Sequence, residues 1–267
     1  MAERLTVHDA ADPRLDDFRD LTVADRRPDR PGGRGAVIAE GVVVVRRLLA
    51  SPYPVRALLG VAARIDDLGE DLSTVDVPAY VVTPEVMSAV VGFHLNRGVL
   101  AVAERGSPPS LDELLTGRLL LILEGVNDHE NLGALFRNAA ALGVDAVLLG
   151  LRCSDPLYRR SVRVSMGHVL RMPFATLPRW PADLNMIRAA GYDILALTPR
   201  AGAVPLRRVD PAAHPRLALL VGAEGPGLSE AALSAADVQV RIPMAGDVDS
   251  LNVATAAAIA CYHLGRT

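Results

Sequence analysis

Lysine is absent from this 267-residue chain, and all 28 basic side chains are arginine. That removes a P-loop lysine, a Schiff-base lysine and a lysine general base together. Cysteine is scarce: Cys153 and Cys261 lie far apart, with no disulfide framework and no Cys-x-x-Cys pair. No apolar run reaches the roughly 18–20 residues of a membrane span. The first nine residues are polar and mixed in charge, without the apolar centre of a signal peptide. The expected location is therefore the cytoplasm, with no membrane partner. No histidine pair stands at metal-ligand spacing, so no metal is expected. The formal net charge of −3 argues against strong non-specific nucleic-acid binding and leaves room for a local basic patch.

What is present is a large apolar content. Hydrophobic residues make up 50% of the chain, enough for two modest domains or one large one. Residues 1–35 read as charged and turn-rich, with a short amphipathic helix over 14–21 and a basic loop over 26–34. The loop carries two prolines and two glycines; it is either a solvated turn or an RNA-facing arm. Strands are predicted at 36–39, 55–60, 79–82 and 98–103, with helices at 41–50 and 84–91 between them. This alternation predicts a small α/β domain over residues 1–105. His94, Asn96 and Arg97 form a polar loop in it, structural or substrate-facing. Gly106-Ser-Pro-Pro-Ser110 opens a linker over 106–116.

Residues 117–267 repeat the α/β pattern. Leu119-Leu-Leu-Ile-Leu123 is continuously apolar, as in a parallel strand covered on both faces. A helix is predicted from Asn131, as N-cap, to Leu142, with Gly143 as its stop. Further strands are predicted near 146–149, 193–197, 217–221 and 238–242. Polar loops at 124–131, 222–227 and 243–252 then follow strand ends, where open α/β sheets bind ligands. Ser250 and Asn252 open a helix so rich in alanine that close packing and deep burial are predicted. Residues 152–171 hold Arg152, Arg159, Arg160, Arg163 and Arg171 against one acid, Asp155.

Taken singly, each motif has an ordinary structural reading. Gly222-x-x-Gly225-x-Gly227 has the wrong glycine order for a dinucleotide loop, and Glu224 would point a carboxylate at the phosphates. A glycine turn with an embedded Glu suits a ligand bearing a cation or hydroxyls. Arg137 follows Asn131 by six residues, about 600° around a helix and within two turns; an arginine there is commonly a surface residue.

The combination is more specific. Asn131-x-Gly133-x-x-x-Arg137-x-Ala139, Gly222-x-Glu224-Gly-x-Gly-Leu228 and Ile242-Pro-Met-x-Gly246 with Ser250-Leu-Asn252-Val resemble the three motifs of the SpoU (TrmH-type) RNA ribose methyltransferases of the SPOUT superfamily, in that family's order. The likeness spans residues 117–264. A looser one, through Ile38-Ala-Glu40-Gly41 and Arg97-Gly98-Val-Leu-Ala101, links residues 12–105 to the family's ribosomal-protein-like substrate-binding domain. Asp128-His129-Glu130 departs from the Pro-Gly pair that many members carry before Asn131.

The resemblance implies a C-terminal parallel-sheet domain with a deep trefoil knot over 117–267, and a smaller N-terminal α/β domain. It implies methyl transfer from S-adenosylmethionine to a ribose 2′-hydroxyl of RNA, ribosomal in preference to transfer RNA, by a homodimer. By position, Asn131, Arg137, Glu224, Ser250 and Asn252 become the catalytic set. Leu197, Thr198, Gly222, Ile242, Met244 and Leu251 become cofactor-binding residues, and Arg152, Arg159, Arg160 and Arg163 the RNA-binding ones. The competing readings are a tRNA enzyme, a base methyltransferase of the same superfamily, an idle RNA-binding or ribosome-assembly protein, and a nicotinamide dehydrogenase.

Overall fold

A computed structural model describes residues 2–21, 35–246 and 248–265. They divide into two units, Met1–Ser107 with Leu157–Arg171, and Pro108–Pro156 with Met172–Thr267. The basic loop expected at 26–34 lies outside the described residues.

The first unit runs β1 (Glu3–Thr6), β2 (Ala36–Glu40), α1 (Val42–Leu49), β3 (Val55–Gly60), α2 (Ala62–Asp66), α3 (Gly69–Ser73), β4 (Pro78–Val81), α4 (Pro84–Val91) and β5 (Val99–Glu104). Its sheet has the order β1-β4-β3-β5-β2, parallel from β1 to β3 and antiparallel around β5. Helix α1 forms despite four valines because Val44, Val45 and Leu48 share one buried face. Helix α4 is bounded by the Thr83 cap, Pro84 in its first turn and left-handed Gly92. Two readings of the N-terminus change here. Residues 3–6 form a strand, because the edge of β4 supplies backbone partners that a polar sequence can use. The helix expected at 14–21 is a 3-10 helix, Pro13–Phe18, which drops Leu15 and Phe18 into the core.

The second unit begins with α5 (Leu111–Leu114), so the expected linker contains a helical turn closed by a Ser110/Glu113 capping box. Then come β6 (Leu119–Leu123), α6 (His129–Ala141) and β7 (Ala146–Leu149). The chain next contributes α7 (Arg159–Val164) to the first unit. It continues with β8 (Phe174–Thr176), α8 (Leu184–Ala189), β9 (Asp193–Leu197), β10 (Val204–Pro205), β11 (Leu217–Val221), α9 (Glu230–Ala235), β12 (Val238–Arg241) and α10 (Val253–Leu264). The seven-stranded sheet has the order β10-β12-β9-β11-β6-β7-β8, and every pairing is parallel. All five residues of β6 and of β11 are buried, as a central parallel strand requires. Asp145 holds the start of β6, accepting from the backbone N–H of Arg118 and Leu119 at 2.7 and 2.8 Å.

Strand β11 is made late in the chain yet lies between β6 and β9. The ends of β6, β9, β11 and β12 thereby become neighbours, although their loops are distant in sequence. Helix α10 packs on α6, where Asn138 Nδ2 donates to the Ala254 carbonyl at 2.9 Å. The deep burial expected for α10 holds on one face only: Ala254, Ala257, Ala260 and Cys261 are buried, whereas Ile259 and Tyr262 are exposed. A helix resting on one layer buries one stripe, however small its side chains. Among the described residues, no helix is long and apolar enough to cross a membrane.

Candidate active site

The site begins with a helix cap that is not the expected one. Asp128, rather than Asn131, caps α6: its Oδ1 accepts from the N–H of Glu130 at 3.0 Å and of Asn131 at 2.8 Å. A carboxylate serves well there because it meets both the orphan donors and the positive end of the helix dipole. Asn131 is left with a free side chain inside the first turn. Its Nδ2 donates to Glu224 Oε2 at 2.8 Å, and its Oδ1 accepts from Asn252 Nδ2 at 2.7 Å. Asn252 in turn caps α10, its Oδ1 accepting from Ala254 N at 3.0 Å and Thr255 N at 3.2 Å.

These bonds run in one direction. The N-terminus of α10 claims the Asn252 oxygen, so the Asn252 amide group must face Asn131. Asn131 then offers its oxygen to Asn252 and its amide protons to the Glu224 carboxylate. Three loops, after β6, β11 and β12, are thereby joined by oriented amides, and each bond polarises the next.

The loop after β11 is made tight by its glycines. A Cβ on Gly222 would stand 2.3 Å from the Gly227 carbonyl carbon, so only glycine fits. Gly227 N donates to the Ala223 carbonyl at 3.0 Å, closing the turn that presents Glu224. Beside it is a pocket of about 140 Å³, lined by Leu197, Thr198, Gly222, Ile242, Met244 and Leu251 together with Glu224 and Ser250. Pro199, Val221, Val253 and Ala256 add apolar wall that the motifs did not indicate. An apolar hollow with a few convergent polar groups is the usual form of a small-molecule site. Asn131, Arg137 and Asn252 do not line it; the two asparagines meet it through Glu224. Arg137 is exposed on α6 and makes no ion pair among the described residues. Cys153, whose Sγ–H reaches the Leu123 carbonyl at 3.3 Å, is pushed up to about 11 by burial, so it remains a thiol at neutral pH.

The arginines of 152–171 have different surroundings. Arg159 is engaged within the first unit, with Nη1 3.2 Å from the buried Glu40 carboxylate and its guanidinium 4.9 Å above the Phe93 ring. Arg160 is exposed, Arg163 half-buried, and Arg152 exposed with a left-handed φ of 61°. Sequence reasoning missed Asp128, which it treated only as a departure from the motif, and Glu124, which it left in a loop. The legible signal for Asp128 was an acid just ahead of a helix start.

Residues 118–262, which contain all three loops, match the model of the SpoU rRNA Methylase family. The chain belongs to the SpoU rRNA methylase family. It is 55% identical over 263 residues to an uncharacterized tRNA/rRNA methyltransferase of Mycobacterium bovis, covering 98% of this chain and 91% of the relative. It is 30% identical over 230 residues to the 23S rRNA (guanosine(2553)-2'-O)-methyltransferase RlmP of Bacillus subtilis, covering 85% and 87%. The crystal structure of an AdoMet-bound rRNA methyltransferase from Sinorhizobium meliloti superposes with a TM-score of 0.80 at 26% identity, covering 98% of this chain and 97% of that one. The mixed α/β architecture with a parallel sheet is thus that of the SpoU methyltransferases.

Proposed function

We propose that the chain transfers a methyl group from S-adenosylmethionine to a ribose 2′-hydroxyl of ribosomal RNA. The observation that carries this reading is the junction of Asn131, Glu224 and Asn252 at the rim of the pocket, which joins the three family motifs at one place. The RlmP relative, named for 2′-O methylation of 23S rRNA, supports the choice of acceptor atom and RNA.

The pocket suits S-adenosylmethionine by its chemistry. Leu197, Ile242, Met244 and Leu251 offer apolar wall to an adenine, while Thr198, Ser250 and Glu224 offer polar groups to hydroxyls and cationic centres. When bound, this group supplies a methyl on a positively charged sulfur. The chain's own residues prepare the acceptor. The Arg137 guanidinium stabilises the negative charge that grows on the 2′-oxygen as its proton passes to solvent water; the oxygen takes the methyl and the sulfur leaves as the neutral thioether of S-adenosylhomocysteine. Asn131 holds the Glu224 carboxylate at the rim, and Asn252 holds Asn131. The acceleration comes chiefly from holding two reactants in line.

Three further features complete the proposal. The C-terminal segment is threaded as a trefoil knot, a reading supported by the insertion of β11 between β6 and β9 and the return of α10 onto α6. The protein works in the cytoplasm as a homodimer; exposed Ile259 and Tyr262 on α10 support a partner there, and light scattering after size exclusion tests it. Arg160 and Arg163 on α7 and, separately, Arg152 in the second unit contact RNA phosphates. The deciding experiment is methylation of rRNA and tRNA with labelled S-adenosylmethionine, followed by digestion to nucleosides. A 2′-O-methylnucleoside from rRNA is the expected product. A methylated base would overturn the acceptor, and label in tRNA alone would overturn the substrate.

A further inference from the structure

Glu124 is a buried carboxylate that the reaction above does not use. It is the first residue after β6 and only 8% exposed. From there it grips both ends of the glycine loop. Its backbone N–H donates at 2.9 Å to the carbonyl of Val221, the residue before Gly222. Its carboxylate accepts from the N–H of Ser229 at 2.8 Å and from Ser229 Oγ at 2.7 Å, immediately after Leu228. Ser229 is also the cap of α9, its Oγ accepting from Ala232 N. A third donor, Trp180 Nε1, reaches Oε1 at 2.5 Å. The Trp180 ring is itself wedged over Gly150, where a Cβ would stand 2.7 Å from the ring.

The loop between these anchors needs such support. Gly222, Gly225 and Gly227 give it little side-chain packing and much backbone freedom, and the Ala223–Gly227 bridge closes only its tip. Three donors converge on Glu124, so only an acceptor-only group satisfies all of them. Hydrogen bonds to a charged carboxylate are short and directional, which suits a fixed strut.

We infer that Glu124 is a positioning residue for the S-adenosylmethionine pocket. By fixing the separation of Val221 and Ser229 it sets where Gly222 and Glu224 face the ligand, with Trp180 as its third support. This rests on reading the pocket as the S-adenosylmethionine site.

The test is calorimetric binding of S-adenosylmethionine and steady-state methylation with the full chain. Glu124→Gln must turn an amide N–H₂ toward either Ser229 N–H or the indole N–H. It is expected to bind S-adenosylmethionine about tenfold more weakly, and to raise KM for it more than it lowers kcat. Adding Trp180→Phe removes the indole donor, so the amide can face that side. The double variant should recover affinity to within about threefold of wild type. Should Glu124→Gln fail to fold, Gly150→Ala displaces the indole without touching the pocket wall and should also weaken binding. Glu124→Gln within about twofold of wild type, a double variant no tighter than Glu124→Gln, or unchanged affinity in Gly150→Ala would each overturn the role. A wild-type chain that does not bind S-adenosylmethionine would instead overturn the reading of the pocket.

Discussion

Arg137 and Arg159 are the same side chain in opposite circumstances. Arg137 stands exposed on α6, six residues after Asn131, with no ion pair among the described residues. Arg159 lies against buried Glu40 and over Phe93, and its charge is answered inside the first unit. In sequence neither arginine shows a partner, and only the structure puts Arg159 on a helix beside one. The difference teaches that a run of arginines measures charge, not availability: a guanidinium paired with a buried carboxylate is fixed by the fold, while an exposed one without an ion pair is free to meet a substrate.

The sharpest way to break this comparison is to remove each arginine. Arg137→Ala should lower methyl transfer at least about a hundredfold while leaving S-adenosylmethionine affinity unchanged by calorimetry. A comparable loss of binding would show that Arg137 shapes the pocket instead. Arg159→Ala should leave the affinity alone and cost about 3 kcal/mol of stability in urea unfolding, because it strands the Glu40 carboxylate; wild-type stability would mean the pair contributes nothing.

Asn252→Ala probes the network of Asn131, Glu224 and Asn252. It removes the α10 cap, worth about 1 kcal/mol, and releases the Asn131 amide, so methylation should drop about tenfold. Asn252→Ser keeps a capping oxygen but lacks the amide donor. If Ser retained full activity, the cap alone would matter and the oriented relay would not. The smallest effect is expected on RNA binding. Arg160→Ala and Arg163→Ala should each weaken it and reduce the slope of log affinity against log salt by about 0.7–0.9 per lost phosphate contact. Arg159→Ala should leave that slope unchanged; equal slopes for all three would erase the distinction drawn between them.

Much of the fold could be read from the chain. The apolar runs at 119–123 and 217–221 are buried parallel strands, and the Pro84 and Gly92 bounds of α4 stand where local chemistry puts them. Less legible was β1, whose polar residues carry no strand periodicity and pair only because β4 has an open edge. Helix α7 was hidden for the opposite reason: its arginines looked like a surface patch, yet Ser161 and Val162 are buried with the first unit. At the site, Asn131, Glu224 and Asn252 stood out by motif, but their mutual bonds did not. The cap on α6 was misplaced by three residues because Asn131 and Asp128 are both good caps, and only the bond made by Asn131 to Glu224 separates them.

The sequence by itself determined which chemistries were available: no lysine nucleophile, scarce cysteine, three polar loops near predicted strand ends that carry Asn131, Glu224 and Asn252, and Arg137 on the helix after the first of them. The tertiary structure alone decided which of these groups meet. Asn131 and Glu224 are 93 residues apart, Asn131 and Asn252 121, and Glu124 and Ser229 105. Their contacts exist because β11 enters the sheet between β6 and β9. Local propensity and periodicity specify a strand and its faces, but strand order is set by the packing of the whole sheet.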